Sequence, residues 1–91
     1  MSKLYMLIMK ENRLLKVGFT RNLNKRIKDY QTTNPVAEFI GIVNGTIQDE
    51  REYHEELEEL GFTRIEGTEF FEIPKNISTR QIMKKGFLIF S

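Results

Sequence analysis

Two apolar runs separated by a short polar stretch open the chain. Residues 4–9 are continuously apolar, residues 10–13 are polar, and apolar residues return over 14–19 with one lysine among them. Two strand-length runs at this spacing predict a β-hairpin, with Glu11 and Asn12 as its two-residue loop. The N-terminal part of the chain is therefore expected to supply two neighbouring antiparallel strands.

The position of this loop decides which residues lie opposite each other in the hairpin. Counting back from the loop places Tyr5 opposite Gly18 and Leu7 opposite Lys16. Residues that lie opposite each other in an antiparallel pair project from the same face of the sheet. Tyr5 and Lys16 are therefore predicted to share a face, and Gly18, which has no side chain, leaves room beside the Tyr5 ring.

The rest of the chain alternates between helical and strand patterns. Thr46 with Asp49, and Ser78 with Gln81, have the residue types and spacing of helix N-termini. The expected elements are a helix over 22–32, a strand over 37–43, a helix between Thr46 and Gly61, a strand over 69–73, a helix between Ser78 and Gly86, and an apolar tail over 87–90 that packs as a strand or against a helix.

This order of elements, ββαβαβα, predicts an α/β fold with a small, mostly antiparallel sheet of three to four strands flanked by helices. The length of 91 residues, with 40% hydrophobic and 30% charged side chains, is typical of one globular domain, which we expect to span residues 1–91. The chain has no cysteine, so disulfides, thiolate metal sites and cysteine nucleophiles are excluded. Its apolar runs are too short for a signal peptide or a membrane span, and we expect a cytoplasmic protein with no membrane partner.

Charge is distributed unevenly along the chain, although the formal net charge is only +1. Residues 1–30 carry eight Lys/Arg and two Asp/Glu, whereas residues 31–72 carry two Lys/Arg and eleven Asp/Glu. A basic first third predicts a face that attracts a polyanion such as nucleic acid. The alternative is that both charge runs only solvate the surface.

Three short motifs follow one another in a distinctive order. Lys16-Val17-Gly18-Phe19-Thr20 ends the second strand, the next helix carries Arg26, and Glu69-Phe70-Phe71 opens an aromatic stretch. Together with Tyr5, this ordered set resembles the core of the GIY-YIG nuclease family. It is most similar to the small phage-associated branch whose members end in a Glu-aromatic-Phe motif. The resemblance covers roughly residues 4–73.

The resemblance implies a metal-dependent endonuclease that hydrolyses phosphodiester bonds of DNA in a bacterial or phage-infected cytoplasm. Mg²⁺ or Mn²⁺ would be the cofactor. One departure from the family pattern is that Lys16-Val17-Gly18 stands where Tyr-Ile-Gly is usual, so a lysine replaces the second tyrosine. By this resemblance the candidate catalytic residues are Tyr5 on the first strand, Lys16, the helix arginine Arg26, Tyr30 one turn later, and the metal-binding Glu69.

These residue types suit phosphodiester hydrolysis. A free phenol has a pKa of about 10, so only about one Tyr5 in a thousand would be ionised at neutral pH. Lys16 on the same face is expected to favour the phenolate and so assist Tyr5 as a general base. Arg26 offers planar paired donors to phosphate oxygens, and Glu69 would hold one Mg²⁺ through its carboxylate. Taken singly, the tyrosine, the arginine and the glutamate also have ordinary structural interpretations.

The remaining candidates are basic residues and the single histidine. The expected nucleic-acid contacts are Lys16, Arg21, Lys25 and Arg26. His54 falls on the inward stripe of the second long helix, together with Ile47, Glu50, Leu57 and Leu60. It is either a buried structural histidine or a candidate catalytic residue that orients Tyr5 or the metal ligands, or shuttles a proton. One histidine without cysteine cannot supply the soft ligand set that is usual for a zinc site.

Two other functions remain open from the sequence. The chain could be a nucleic-acid-binding module that keeps the fold without turnover, because a lysine stands in the second tyrosine position. It could also be a phage protein that binds a host protein through its acidic helix. DNA is the expected partner, and RNA is the alternative nucleic acid. A partner protein or a second copy of the chain, forming a homodimer, is a further candidate partner.

Overall fold

A hairpin of two seven-residue strands forms the centre of the sheet. In the computed structural model, which describes residues 2–91, β1 (Lys3–Met9) pairs antiparallel with β2 (Leu14–Thr20). The turn closes through a hydrogen bond of 3.3 Å from the Arg13 N–H to the Lys10 carbonyl, with the predicted two-residue loop at its centre. Tyr5 lies opposite Gly18, and Leu7 lies opposite Lys16. The predicted register is confirmed.

The remaining elements extend this hairpin on both sides. They are α1 (Leu23–Thr33), β3 (Glu38–Asn44), α2 (Ile47–Glu59), β4 (Thr63–Arg64), β5 (Phe71–Glu72), α3 (Thr79–Lys85) and a 3₁₀ turn (Gly86–Phe90). The strand order is β3-β1-β2-β5-β4, and every described pair is antiparallel.

The predicted α/β class with an antiparallel sheet is confirmed, but the predicted number of three to four strands is wrong. The sheet has five strands because β4 pairs with β5 through only two residues, Thr63 and Arg64. Two residues are too few to leave an alternating pattern in a sequence. The strand predicted over 69–73 is likewise shorter and comprises Phe71–Glu72.

The two faces of the central hairpin have different neighbours. Met6, Ile8, Leu15 and Val17 project into the main core, where α2 and α3 also contribute buried residues. Full burial of an aliphatic side chain of this size contributes roughly 1.5–3 kcal/mol to folding. The opposite face carries Tyr5, Leu7 and Lys16, which are also buried. The predicted functional face is therefore the one that turns away from the main core.

The N-termini of α2 and α3 and the packing of the C-terminal tail agree with the predictions from the sequence. The Thr46 side chain caps α2 and forms a capping box with Asp49, while Ser78 caps α3. Of the two predictions for the tail, packing against a helix is correct. The ring centroids of Phe87 and Phe90 lie 5.2 and 4.6 Å from that of Tyr53 on α2. Every helix within residues 2–91 is too short or too polar to span a bilayer.

Candidate active site

A small cleft lies where β1, β2, α1, α2 and the segment before β5 meet. It has a volume of about 70 Å³ and is bounded by side chains that were widely separated in the sequence. Four of the predicted residues, Tyr5, Lys16, Arg26 and Glu69, converge here. The complete lining consists of Tyr5, Lys16, Gly18, Phe19, Arg26, Glu50 and Glu69.

Lys16 occupies the centre of this group and is only 5% exposed. Its Nζ donates to the Tyr30 hydroxyl at 2.6 Å and lies 2.7 Å from Oε2 of Glu69. The same ammonium is 5.7 Å from the centroid of the Tyr5 ring and 5.2 Å from that of Tyr30. Burial acts to lower the pKa of Lys16, but the hydrogen bonds with Glu69 and Tyr30 outweigh it and raise that pKa. Lys16 is therefore a fixed positive charge.

Tyr5 lies beside Lys16 with 1% of its surface exposed. Burial, the largest influence, raises the pKa of Tyr5, and Lys16 opposes this shift without reversing it. The sequence prediction that Lys16 favours the phenolate is correct in direction. The pKa of Tyr5 nevertheless lies above the ordinary value, because burial destabilises the phenolate more than the positive charge of Lys16 stabilises it.

Glu69 reaches the cleft because it lies just outside the strand ladder. The N–H of Ile65 donates to the Phe70 carbonyl, and regular pairing begins at Phe71. The Glu69 side chain is 73% exposed, and one of its oxygens binds Lys16. This hydrogen bond is the largest influence lowering the pKa of Glu69, and the charge of Arg26 adds a smaller contribution. The carboxylate is thus ionised and open to solvent.

Helix α1 contributes the positive charges at the rim of the cleft. Asn22 caps the helix by accepting a hydrogen bond from the Lys25 N–H, which fixes the turn before Arg26. Arg26 is exposed and takes part in neither of the two ion pairs found within residues 2–91. Lys25 is also exposed, and the Arg21 guanidinium lies 5.8 Å from the centroid of the Phe19 ring. These basic side chains are accessible to a ligand.

Tyr30 supports the site from α1. Its ring packs edge-on against Tyr5 and Phe39, with centroid distances of 6.2 and 5.8 Å. Its hydroxyl accepts the hydrogen bond from Lys16. Tyr30 is therefore in contact with both Tyr5 and Lys16, although it does not line the cleft itself.

His54 lies behind the cleft and touches the backbone of β2. Its Nε2 is 2.8 Å from the Val17 carbonyl, and its Nδ1 is 3.0 Å from Nη2 of Arg64. Because a carbonyl only accepts, Nε2 carries the proton and donates. His54 therefore holds the strand between Lys16 and Gly18, which agrees with an orienting position and places it outside the cleft lining.

Three residues in this region were not predicted from the sequence as site residues. Glu50 and Phe19 line the cleft, and Arg64 contacts His54. The sequence signal for Glu50 was a carboxylate one turn before His54 on the inward stripe of the helix. Arg64 had no signal, since its two-residue strand is not recognisable from the pattern.

The cleft offers carboxylate oxygens as possible ligands for a divalent cation. Among residues 2–91, no group of three or more histidine, aspartate or glutamate side chains is placed to hold a metal ion. Glu69 offers an ionised, largely exposed carboxylate, and Glu50 lines the same cleft. Mg²⁺ is often bound by one or two carboxylates together with water and substrate phosphate. The residues present fit a cation that is shared with a bound phosphate.

Comparison with known protein families identifies a family for this chain. The model of the T5orf172 domain, a phage-associated domain found in some nucleases, matches residues 4–85. The matched range contains every residue of the cleft. Neither the curated proteins nor the solved structures gave a match.

Proposed function

The chain belongs to the T5orf172 domain family, and we propose that its cleft is the active site of a metal-dependent, GIY-YIG-type endonuclease that hydrolyses phosphodiester bonds of DNA. The observation that carries this proposal is the convergence of a tyrosine, an arginine and an ionised glutamate around the buried ammonium of Lys16. The resemblance of these same residues to the GIY-YIG motifs supports it.

Tyr5 is assigned as the general base. Its phenolate would accept a proton from a water molecule, and the resulting hydroxide would attack phosphorus as the bond to the leaving oxygen breaks. The raised pKa of Tyr5 makes the phenolate scarce but strongly basic. Tyr30 and Lys16 hold the Tyr5 ring from the α1 side, and the bare Gly18 backbone lies against it.

The positive groups of the cleft would stabilise the charge that accumulates on the phosphate. Arg26 is exposed at the rim and can bind two oxygens with its planar guanidinium. Lys16 stays protonated, so it acts as a fixed charge and cannot itself serve as a base. Preorganised charges of this kind supply a large share of catalysis in many enzymes.

Glu69 is assigned as the residue that holds Mg²⁺ or Mn²⁺, with Glu50 in the same cleft. When bound, the cation would polarise the phosphate and stabilise the leaving oxygen. Lys16 contacts Oε2 of Glu69 and thereby orients the carboxylate. Arg26 and Glu69 are exposed at the cleft, so an extended phosphate backbone can reach both from solvent.

One observation favours a second function, that of a DNA- or RNA-binding module without turnover. Oε2 of Glu69 is already engaged by Lys16, and this pair neutralises the charge that a cation needs. A module of this kind would bind nucleic acid in a strongly salt-dependent manner and would not cleave it with any divalent ion. A third candidate function is the binding of a host protein through the exposed acidic side of α2. We propose the bacterial cytoplasm as the location of the protein.

Incubation of the purified protein with supercoiled plasmid distinguishes these functions. With Mg²⁺ or Mn²⁺ we expect nicked and linear products, and EDTA should abolish them. Arg26→Ala should lower the rate strongly, whereas Arg80→Ala, which removes an exposed arginine of α3, should not. Absence of cleavage with either ion, together with salt-dependent binding, would favour the binding module. Cleavage that survives Arg26→Ala would contradict the assigned site.

A further inference from the structure

Arg64, on the short strand β4, is held in a fixed orientation by two contacts. Its Nη2 lies 3.0 Å from Nδ1 of His54, and its guanidinium carbon lies 5.1 Å from the centroid of the Phe71 ring. Since His54 uses Nε2 to donate to the Val17 carbonyl, Nδ1 is free to accept from Arg64. Arg64 is exposed, yet this hydrogen bond and this ring contact fix the orientation of its side chain.

The guanidinium keeps most of its donors available. An arginine has five N–H donors, and the contact with His54 uses one of them. The neighbouring helix α2 is rich in glutamate, yet the ion pairs within residues 2–91 are Lys10–Glu38 and Lys16–Glu69. Arg64 therefore presents an oriented positive charge that no carboxylate neutralises in the described part of the chain.

Arg64 and the basic residues of α1 lie on opposite faces of the sheet, because Arg64 pairs with Phe71, which pairs with the core-facing Leu15. Helix α1 packs on the β3 and β1 side through the contacts of Tyr30 with Phe39 and Tyr5. Strand β4 forms the opposite edge of the sheet, beyond β2 and β5. His54 connects this edge with the cleft, because one of its ring nitrogens contacts Arg64 and the other contacts Val17, which lies between the cleft residues Lys16 and Gly18.

We propose that Arg64 binds a phosphate of the nucleic-acid strand that neighbours the phosphate hydrolysed in the cleft, and that His54 is the positioning residue that holds Arg64 in place. This inference rests on the proposed function, because it assumes that a nucleic-acid strand occupies the cleft. The planar guanidinium suits phosphate oxygens through paired hydrogen bonds. Together with Arg26 on the other side, it would hold the strand at two points.

Salt dependence of binding tests this assignment without relying on cleavage. A labelled DNA duplex is titrated by fluorescence anisotropy in EDTA with the wild-type protein, Arg64→Gln and Arg80→Gln, at salt concentrations from about 50 to about 200 mM. Arg80→Gln is the matched control, since it removes the same charge from another exposed arginine on the distant helix α3. Melting temperatures show whether each variant is folded.

We expect Arg64→Gln to lower affinity and to reduce the slope of log K against log salt by about 0.9, the value for one phosphate contact. Over this salt range the wild type would then lose about three- to fourfold more affinity than the variant. Arg80→Gln should behave as the wild type. If Arg64→Gln does not fold, Arg64→Met keeps a flexible apolar side chain over Phe71 and should give the same change in slope.

An unchanged slope in a folded Arg64 variant would overturn the inference and leave the proposed function standing. If Arg64→Gln and Arg80→Gln both reduced the slope equally, the effect would be one of net charge and the assignment would be wrong. If the wild-type protein bound no DNA at low salt, the proposed function and this inference would both fail.

Discussion

Gly18 lies directly opposite Tyr5, and a methyl group on Gly18 would overlap both the ring carbon Cζ and the hydroxyl of Tyr5. The absence of a side chain at this position therefore decides where the candidate base can lie. Lys16 and Tyr30 contact the Tyr5 ring on its other sides, so the ring has little freedom to move away.

Gly18→Ala should consequently displace Tyr5. We expect a loss of roughly 1–3 kcal/mol in the free energy of unfolding, as is typical of overpacking, together with a marked loss of cleavage. Tyr5→Phe in the Gly18→Ala background removes one of the overlapping atoms and should recover part of the lost stability. Urea denaturation of the two single variants and the double variant measures this coupling. Strictly additive effects would show that Gly18 and Tyr5 do not constrain each other.

The hairpin register, the helix caps and the convergence of the motif residues could all be predicted from the sequence. They depend on local signals, namely strand length, the turn position and capping residues such as Thr46 and Ser78. Three features could not be predicted from the sequence: the fifth strand, the contact of Arg64 with His54, and the position of Glu50 in the cleft. These depend on how distant segments pack, and a two-residue strand leaves no periodic pattern. The net pKa of Tyr5 was also beyond prediction, because the depth of burial is a tertiary property.

The dependence of the cleavage rate on pH tests the role of Tyr5. Since burial raises the pKa of Tyr5, the phenolate fraction should increase about tenfold per pH unit between roughly pH 7 and pH 9, and the rate should follow it. Lys16→Met should shift the profile to higher pH, because Tyr5 loses its nearby cation. Tyr5→Phe should abolish cleavage, whereas Tyr30→Phe should slow it and keep the dependence on pH. A flat profile in the wild type would exclude Tyr5 as the base.

The pair of Lys16 and Glu69 should contribute to stability in a defined pH range. The pKa of Glu69 is lowered in the folded protein, so this contribution is present above the ordinary carboxyl pKa and is lost as pH falls through the folded value. Lys16 remains protonated throughout that range because its own pKa is raised. Wild-type stability should therefore fall more steeply than that of Glu69→Gln as the pH decreases below about 5.

Unfolding free energies at several pH values check this expectation. Glu66→Gln is the control, because Glu66 is an exposed glutamate in the turn before Glu69. It should retain the steep acid dependence of the wild type. If the unfolding free energy of the wild type and of Glu69→Gln depended on pH in the same way, the pair of Lys16 and Glu69 would not stabilise the fold.

The most direct test of the nuclease assignment is a comparison of plasmid cleavage by Glu69→Gln and Glu66→Gln in Mg²⁺. Both variants remove one exposed carboxylate from the same segment, and only Glu69 lines the cleft. If Glu69 holds the cation, Glu69→Gln should fold normally, bind DNA at least as tightly as the wild type, and lose at least about a thousandfold in cleavage rate, while Glu66→Gln cleaves normally. Cleavage by Glu69→Gln at the rate of Glu66→Gln would contradict the account.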